Sequence, residues 1–149
     1  MTTAILDPGR VVLGATARDK TMAIEMVGGL LVRDGLADEG YVQSMLEREA
    51  SMSTYVGSGI AIPHGMTADL VRETGLALVQ FPAGVKFGDE IAHVLIGIAA
   101  KGDEHLGVLS NLAEVLKDGF TAGRLCRATS SQEVMDLLCR PSSWEGERP

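Results

Sequence analysis

Aromatic residues, cysteine and runs of positive charge are all scarce in this chain, and each scarcity argues against a class of protein. Six aromatic side chains in 149 residues leave the core to aliphatic residues, and with eighteen glycines they suggest an α/β core with many tight connections. The two cysteines, Cys126 and Cys139, stand thirteen positions apart. They form no C-x-x-C pair, and no second cysteine pair or nearby histidine completes a zinc set. They read as structural thiols of a reducing cytoplasm. The formal net charge is −7, and no cluster of Lys or Arg interrupts the acidic balance. Nucleic-acid binding, which draws much of its affinity from neutralised phosphates, has little electrostatic support here. The longest apolar run, Val94 to Ala100, is far too short to cross a bilayer. The opening residues, MTTAILDPGR, lack the positive start and apolar stretch of a signal peptide, so a cytoplasmic location is expected.

What is present is an ordinary globular balance, 46% apolar and 22% charged. This length suits one domain and buries enough surface to stand without disulfide or metal staples. No internal repeat, linker or low-complexity segment divides the chain, so residues 1–149 are read as one domain, with 142–149 as a frayed tail. Along it the apolar period alternates. Arg10 to Leu13 reads as a short strand. Ala23, Met26, Val27, Leu30 and Leu31 then recur at i, i+3, i+4, i+7 and i+8, one face of a helix. Thr16 or Asp19 is placed to cap its start and Gly35 to stop it. A second helix is expected from about Asp38 to Glu49, with Val42, Met45 and Leu46 inward.

Extended segments follow. Thr54 to Val56 and Ile60 to Ile62 flank Gly57-Ser58-Gly59, and Pro63 ends the second. Leu76 to Phe81 and Ile91 to Ala100 are apolar on both faces, as strands covered on both sides are. Pro82-Ala83-Gly84 reads as the turn between them. The last third reads as helical, with Leu106, Leu109, Ala113 and Leu116 as an inward stripe closed by Gly119. A capping box at Ser130 and Glu133 opens a final helix that buries Val134, Leu137 and Leu138 and stops at Pro141.

The segment Gly57 to Gly65 is unusual as structure alone. A strand delivers the chain to Pro63, His64 follows, and Gly65 permits a sharp exit or the close approach of another molecule. His64 is thus held at a strand end, where α/β proteins place reactive groups. An imidazole so held can serve as a general base, a metal ligand or a nucleophile. It can equally be a turn histidine with one satisfied hydrogen bond, and spacing alone leaves these readings open.

Three stretches carry a resemblance: Tyr41 to Glu49, Ser53 to Gly57, and Ile60-Ala61-Ile62-Pro63-His64-Gly65. With Leu95-Ile96-Gly97-Ile98-Ala99-Ala100 followed by Glu104-His105, they resemble the mannitol/fructose type of enzyme IIA of the sugar phosphotransferase system. The similarity runs from about Gly9 to Leu138, and it is strongest to the mannitol type. The resemblance implies an α/β fold, a mixed β-sheet of about five strands with helices on both faces. It implies that His64 is phosphorylated on Nε2 by the phosphorylated histidine-containing phosphocarrier protein. The phosphoryl group then passes to an enzyme IIB, supporting uptake of mannitol, fructose or a related sugar.

The resemblance also implies roles for the neighbours of His64. Arg48 would fork its guanidinium onto phosphoryl oxygens, its alternative being a surface salt bridge with a nearby Glu. His105, at or near a helix start, would donate to a phosphoryl oxygen, its alternative being a capping histidine. Thr54 would donate its hydroxyl to a phosphoryl oxygen or to His64, its alternative being a strand threonine bonding backbone. His93 matches no functional position of the family and reads as structural.

The chemistry suits those roles. A neutral imidazole is a fair nucleophile near its reference pKa of about 6.5. Attack through Nε2 needs the proton on Nδ1, held there by an acceptor that the sequence does not identify. No cofactor or metal is expected. A metal-dependent hydrolase using His64, His93 and His105 would need H-x-H or H-E-x-x-H spacing, which the sequence lacks. A regulatory enzyme IIA-like module, signalling by the phosphorylation state of His64, is the alternative to transport.

Overall fold

The computed structural model describes residues 6–66, 68–102 and 104–138, the side chains of Ala68, His105 and Leu106 excepted. Five strands form one sheet: β1 (Leu6–Val12), β2 (Tyr55–Gly57), β3 (Ile60–Ala61), β4 (Gly75–Phe87) and β5 (Glu90–Ala99). Their spatial order is β1-β4-β5-β3-β2. β4 and β5 are antiparallel, whereas β1 runs parallel to β4 and β3 parallel to β5. The sheet is therefore mixed, as the resemblance implies. Five helices accompany it: α1 (Lys20–Arg33), α2 (Gly40–Ser51), α3 (His105–Leu116), α4 (Gly119–Cys126) and α5 (Ser131–Leu138).

The central strands are buried on both faces. Every residue from Gly75 to Phe81 and from Val94 to Ala99 is buried, which is why those stretches read as unbroken apolar runs. On one face, Ile24, Val27 and Leu31 of α1 and Tyr41 and Met45 of α2 pack with Ala77, Val79 and Leu95. On the other, Val108 and Leu112 of α3, Leu125 of α4 and Val134 of α5 pack with Leu78, Ile96 and Ile98. Gly97 of β5 lets α1 lie close to the sheet, since a Cβ there would stand 2.9 Å from Val27 Cγ2.

Local signals account for the ends of α1. Asp19 is its cap, accepting the Met22 N–H at 2.9 Å, and Gly35 lies just beyond its end. The inward arc of α2 is wider than the apolar pattern suggests, because Tyr41, Ser44 and Glu49 are buried along with Met45.

Three expectations are corrected. Pro82-Ala83-Gly84 is not the turn between the long strands; β4 continues through it to Phe87, and Gly88-Asp89 makes the reversal. The proline fits because β1 stops opposite Val79 and the β4–β5 register shifts between Gln80 and Val85, so no ladder position there requires its N–H. Gly119 does not close α3 but opens α4, because Asp118 accepts the Phe120 N–H at 3.1 Å and caps a new helix. The buried face of α3 is Val108, Leu112, Val115 and Leu116, and Ala113 is exposed. Ser130 caps α5 as expected, accepting the Glu133 N–H at 3.1 Å. The return bond of a capping box is replaced, because the Glu133 carboxylate takes the Thr129 N–H at 3.2 Å and Arg124 at 2.8 Å. Cys126 is half-buried, and burial pushes its thiol up. Cys139, Pro141 and the tail lie outside the described residues.

Candidate functional site

β3 is only two residues long, yet its direction is kept past its end. The Ile62 N–H donates to the Thr54 carbonyl at 3.0 Å, the Ile98 N–H donates to the Pro63 carbonyl at 3.0 Å, and His64 bridges Ile98 in parallel. A proline is tolerated there because its carbonyl, not its missing N–H, is what the neighbouring strand uses. His64 is thereby held beside the last turn of pleat in β5 and is 8% exposed.

Its ring orientation has a specific cause. Nδ1 lies 2.9 Å from the Ile62 carbonyl oxygen. A carbonyl only accepts, so Nδ1 carries the proton and the neutral ring has its lone pair on Nε2. The acceptor that sets the tautomer is therefore a backbone carbonyl two residues upstream.

Helix α2 holds the chain on the far side of the histidine. The Gly65 N–H donates to the Tyr41 hydroxyl at 2.9 Å, and that hydroxyl donates to the Ile98 carbonyl at 2.7 Å. The Met66 N–H donates to Ser44 Oγ at 2.8 Å. Burial raises the pKa of the Tyr41 hydroxyl, with the Gly65 N–H opposing that shift, so the group stays protonated as a donor. Gly65 is required here for closeness, since a Cβ would stand 2.5 Å from Tyr41 Cε1 and 2.9 Å from Ser44 Oγ.

Arg48 sits in the last turn of α2, where its Nη1 donates to the Met52 carbonyl at 2.5 Å. Among the described residues no carboxylate is within ion-pair distance of Arg48, so the surface salt bridge with a nearby Glu is not formed. Thr54 is buried, and its hydroxyl donates to Glu49 Oε1 at 2.6 Å, so that proton is directed neither to His64 nor to backbone. Its carbonyl is the one that receives Ile62.

His105 is the first residue of α3. Because β5 runs parallel to the β3–His64 segment, the chain leaving β5 toward α3 emerges at the same end of the sheet as His64. The side chain of His105 lies outside the described groups. The preceding loop is tied down by Thr74, which accepts the Lys101 N–H at 3.0 Å and donates to the Glu104 carboxylate. His93 is not brought to this end. It lies earlier in β5, half-buried, with Nδ1 at 3.2 Å from the Phe81 carbonyl.

Tyr41, Ser44 and Glu49 are the neighbours that sequence reasoning missed. Their signal was the spacing i, i+3 and i+8 on the same helix arc as Met45, but polar residues on an inward arc do not announce what they bond. Among the described residues no group of three or more His, Cys, Asp or Glu side chains is arranged to hold a metal ion.

Residues 4–140 match the model of the family described as phosphoenolpyruvate-dependent sugar phosphotransferase system, EIIA 2. The chain is 50% identical over 128 residues to a multiphosphoryl transfer protein of Escherichia coli O157:H7, covering 84% of this chain but 34% of that protein. It is 40% identical over 141 residues to the mannitol-specific phosphotransferase enzyme IIA component of Geobacillus stearothermophilus, covering 93% of this chain and 97% of that one. Among solved structures it superposes, with a TM-score of 0.82 and 41% identity, on a chain in the complex of enzyme IIAMTL and phosphorylated enzyme IIBMTL from Escherichia coli. That match covers 87% of this chain and 94% of the other.

Proposed function

The chain belongs to the EIIA 2 family of the phosphoenolpyruvate-dependent sugar phosphotransferase system, and from that premise we propose that it carries a phosphoryl group on Nε2 of His64. The observation that carries the reading is the 2.9 Å bond from Nδ1 to the Ile62 carbonyl, which leaves the lone pair on the nitrogen that must attack. The donor is the phosphorylated histidine-containing phosphocarrier protein, and the acceptor is an enzyme IIB.

In the first step the Nε2 lone pair forms a bond to phosphorus while the donor's P–N bond breaks, its electron pair returning to the donor imidazole. His64 keeps its Nδ1 proton, so the ring gains positive charge that the Ile62 carbonyl stabilises. Charge on the moving phosphoryl oxygens calls for fixed positive partners and in-line positioning. Arg48, free of any carboxylate among the described residues, and His105 at the α3 start supply them. Thr54 contributes from one layer further out, through Glu49. In the second step enzyme IIB docks, its nucleophilic acceptor atom forms a bond to phosphorus, and the Nε2–P bond breaks with its electron pair returning to the His64 ring, which is left neutral with its proton still on Nδ1.

The docking surface is the end of the sheet that carries His64. Met52 and Met66 flank it, 66% and 63% exposed, and offer apolar contact to a docking partner. Both partners use this face in turn, so each complex is transient and its interface small. The likeness to a mannitol-specific enzyme IIA over 97% of that protein's length favours transport, with mannitol or a related sugar, over a regulatory module. The chain works in the cytoplasm, where its donor and acceptor reside.

The test is phosphoryl transfer from phosphoenolpyruvate through purified enzyme I and the histidine-containing phosphocarrier protein, read by intact mass under alkaline conditions. Wild type should gain one phosphoryl group and His64→Ala none. A wild type that gains nothing, or a His64→Ala variant that gains as much, would overturn the assignment.

A further inference from the structure

We propose that Glu49 is a positioning residue for His64, acting through Thr54 and Ile62; the proposal rests on the reading of His64 as the phosphoryl acceptor. Glutamates are rarely so buried unless paired, and this one is 5% exposed at the end of α2. Its Oε1 accepts both the Thr54 N–H, at 3.0 Å, and the Thr54 hydroxyl, at 2.6 Å. Its Oε2 faces Lys20 Nζ at 3.4 Å. Lys20 in turn lies over the Phe87 ring, 5.3 Å from its centroid.

Two bonds to one oxygen fix Thr54 where the chain leaves α2. The Thr54 carbonyl is then presented to the Ile62 N–H, and the Ile62 carbonyl to His64 Nδ1. Each link is a hydrogen bond of ordinary length between buried, close-packed groups, so a displacement at Glu49 is passed along the chain toward the ring. Helix α2 therefore grips the histidine from both sides. Tyr41 and Ser44 hold the two residues after it, and Glu49 holds Thr54, whose carbonyl takes the Ile62 N–H just before it. A carboxylate paired with one lysine is not an efficient way to stabilise a core, since apolar replacements of such pairs are often neutral or better. Its placement is explained by what it orients.

The test is nitrogen-15 NMR of the His64 ring at alkaline pH, where it is neutral, alongside the rate of phosphoryl acceptance. Wild type should show a single tautomer with Nδ1 protonated. Glu49→Ala should convert the ring to a mixture that includes the Nε2-protonated form and slow acceptance by about tenfold or more, in proportion to lost orientation. Thr54→Val should shift the ring the same way, and Thr54→Ser should restore it. If Glu49→Ala does not fold, Glu49→Gln decides, because it keeps the volume and one acceptor oxygen. A changed tautomer ratio in Glu49→Gln supports the proposal. Folded Glu49 variants with the wild-type tautomer and rate would reduce Glu49 to a brace and overturn it. The ring measurement needs no phosphoryl donor, so a wild type that fails to accept would defeat the function while leaving the role of Glu49 separately decided.

Discussion

The hydroxyl of Tyr41 donates to the Ile98 carbonyl and accepts the Gly65 N–H, so a single oxygen ties helix, strand and the segment after His64 together. Tyr41→Phe leaves both backbone groups buried without their partner. It should cost about 1–3 kcal/mol in denaturant unfolding and slow phosphoryl acceptance by loosening the segment at Gly65. The same residue predicts an alkaline limb. Burial raises its pKa in the folded state, so the native protein holds the phenolic proton more tightly than the unfolded chain. The associated stability is fully present below about pH 10, where an unfolded tyrosine titrates, and is lost as pH rises through the folded-state value. Urea midpoints measured across that range should fall for wild type, and that component of the fall should be missing in Tyr41→Phe. At this scale the sequence was legible for His64, whose Pro and Gly neighbours mark a constrained backbone. It was opaque for Tyr41, Ser44 and Glu49. The partners of Tyr41 and Ser44 lie far along the chain, Gly65 and Met66 more than twenty residues away and Ile98 further still, and Glu49 bonds Thr54 across the end of its helix, a contact that only the fold of that connection sets.

Elements were legible where one local signal dominated and misread where tertiary pairing overrode it. Asp19, the stripe from Ala23 to Leu31 and the unbroken apolar runs of β4 and β5 each had a periodicity or a cap to betray them. Pro82 and Gly119 were misread because each is a breaker in isolation. The first is accommodated by a register shift that only the neighbouring strands reveal, and the second is recruited as the first residue of a helix capped by Asp118. Gly97 makes a further case, a glycine in mid-strand whose reason is the helix above it. Gly97→Ala would set a methyl 2.9 Å from Val27 Cγ2 and 3.3 Å from its Cγ1. The β-branched valine has little rotamer freedom within a helix, so α1 itself must yield. A loss of about 1–3 kcal/mol is expected, seen as a lower denaturant midpoint with an unchanged slope.

For the whole molecule, the two layers converge on one end of the sheet. Helices α1 and α2 cover one face and α3 to α5 the other; α2 bonds the residues after His64, and the chain leaving β5 toward α3 emerges at the same end of the sheet. On the proposed relay, a protein of net charge −7 that releases two partners in turn would gain from an exposed apolar rim, which a charge should spoil. Met66→Asp is expected to raise the KM for the protein donor by about tenfold, the scale of a truncated hot spot. It should slow acceptance from a small donor such as phosphoramidate far less. Equal losses with both donors would remove Met66 from the docking surface.

The grip of α2 on Gly65 and Met66 also sets a clock. These residues belong to no strand, yet their amide protons are held by side chains of a packed helix. Such protons trade with deuterium only when the helix lifts, whatever the apparent looseness of a connection. The backbone just after the histidine is thus freed only as often as α2 breathes away from the sheet, a frequency decided by packing in the core.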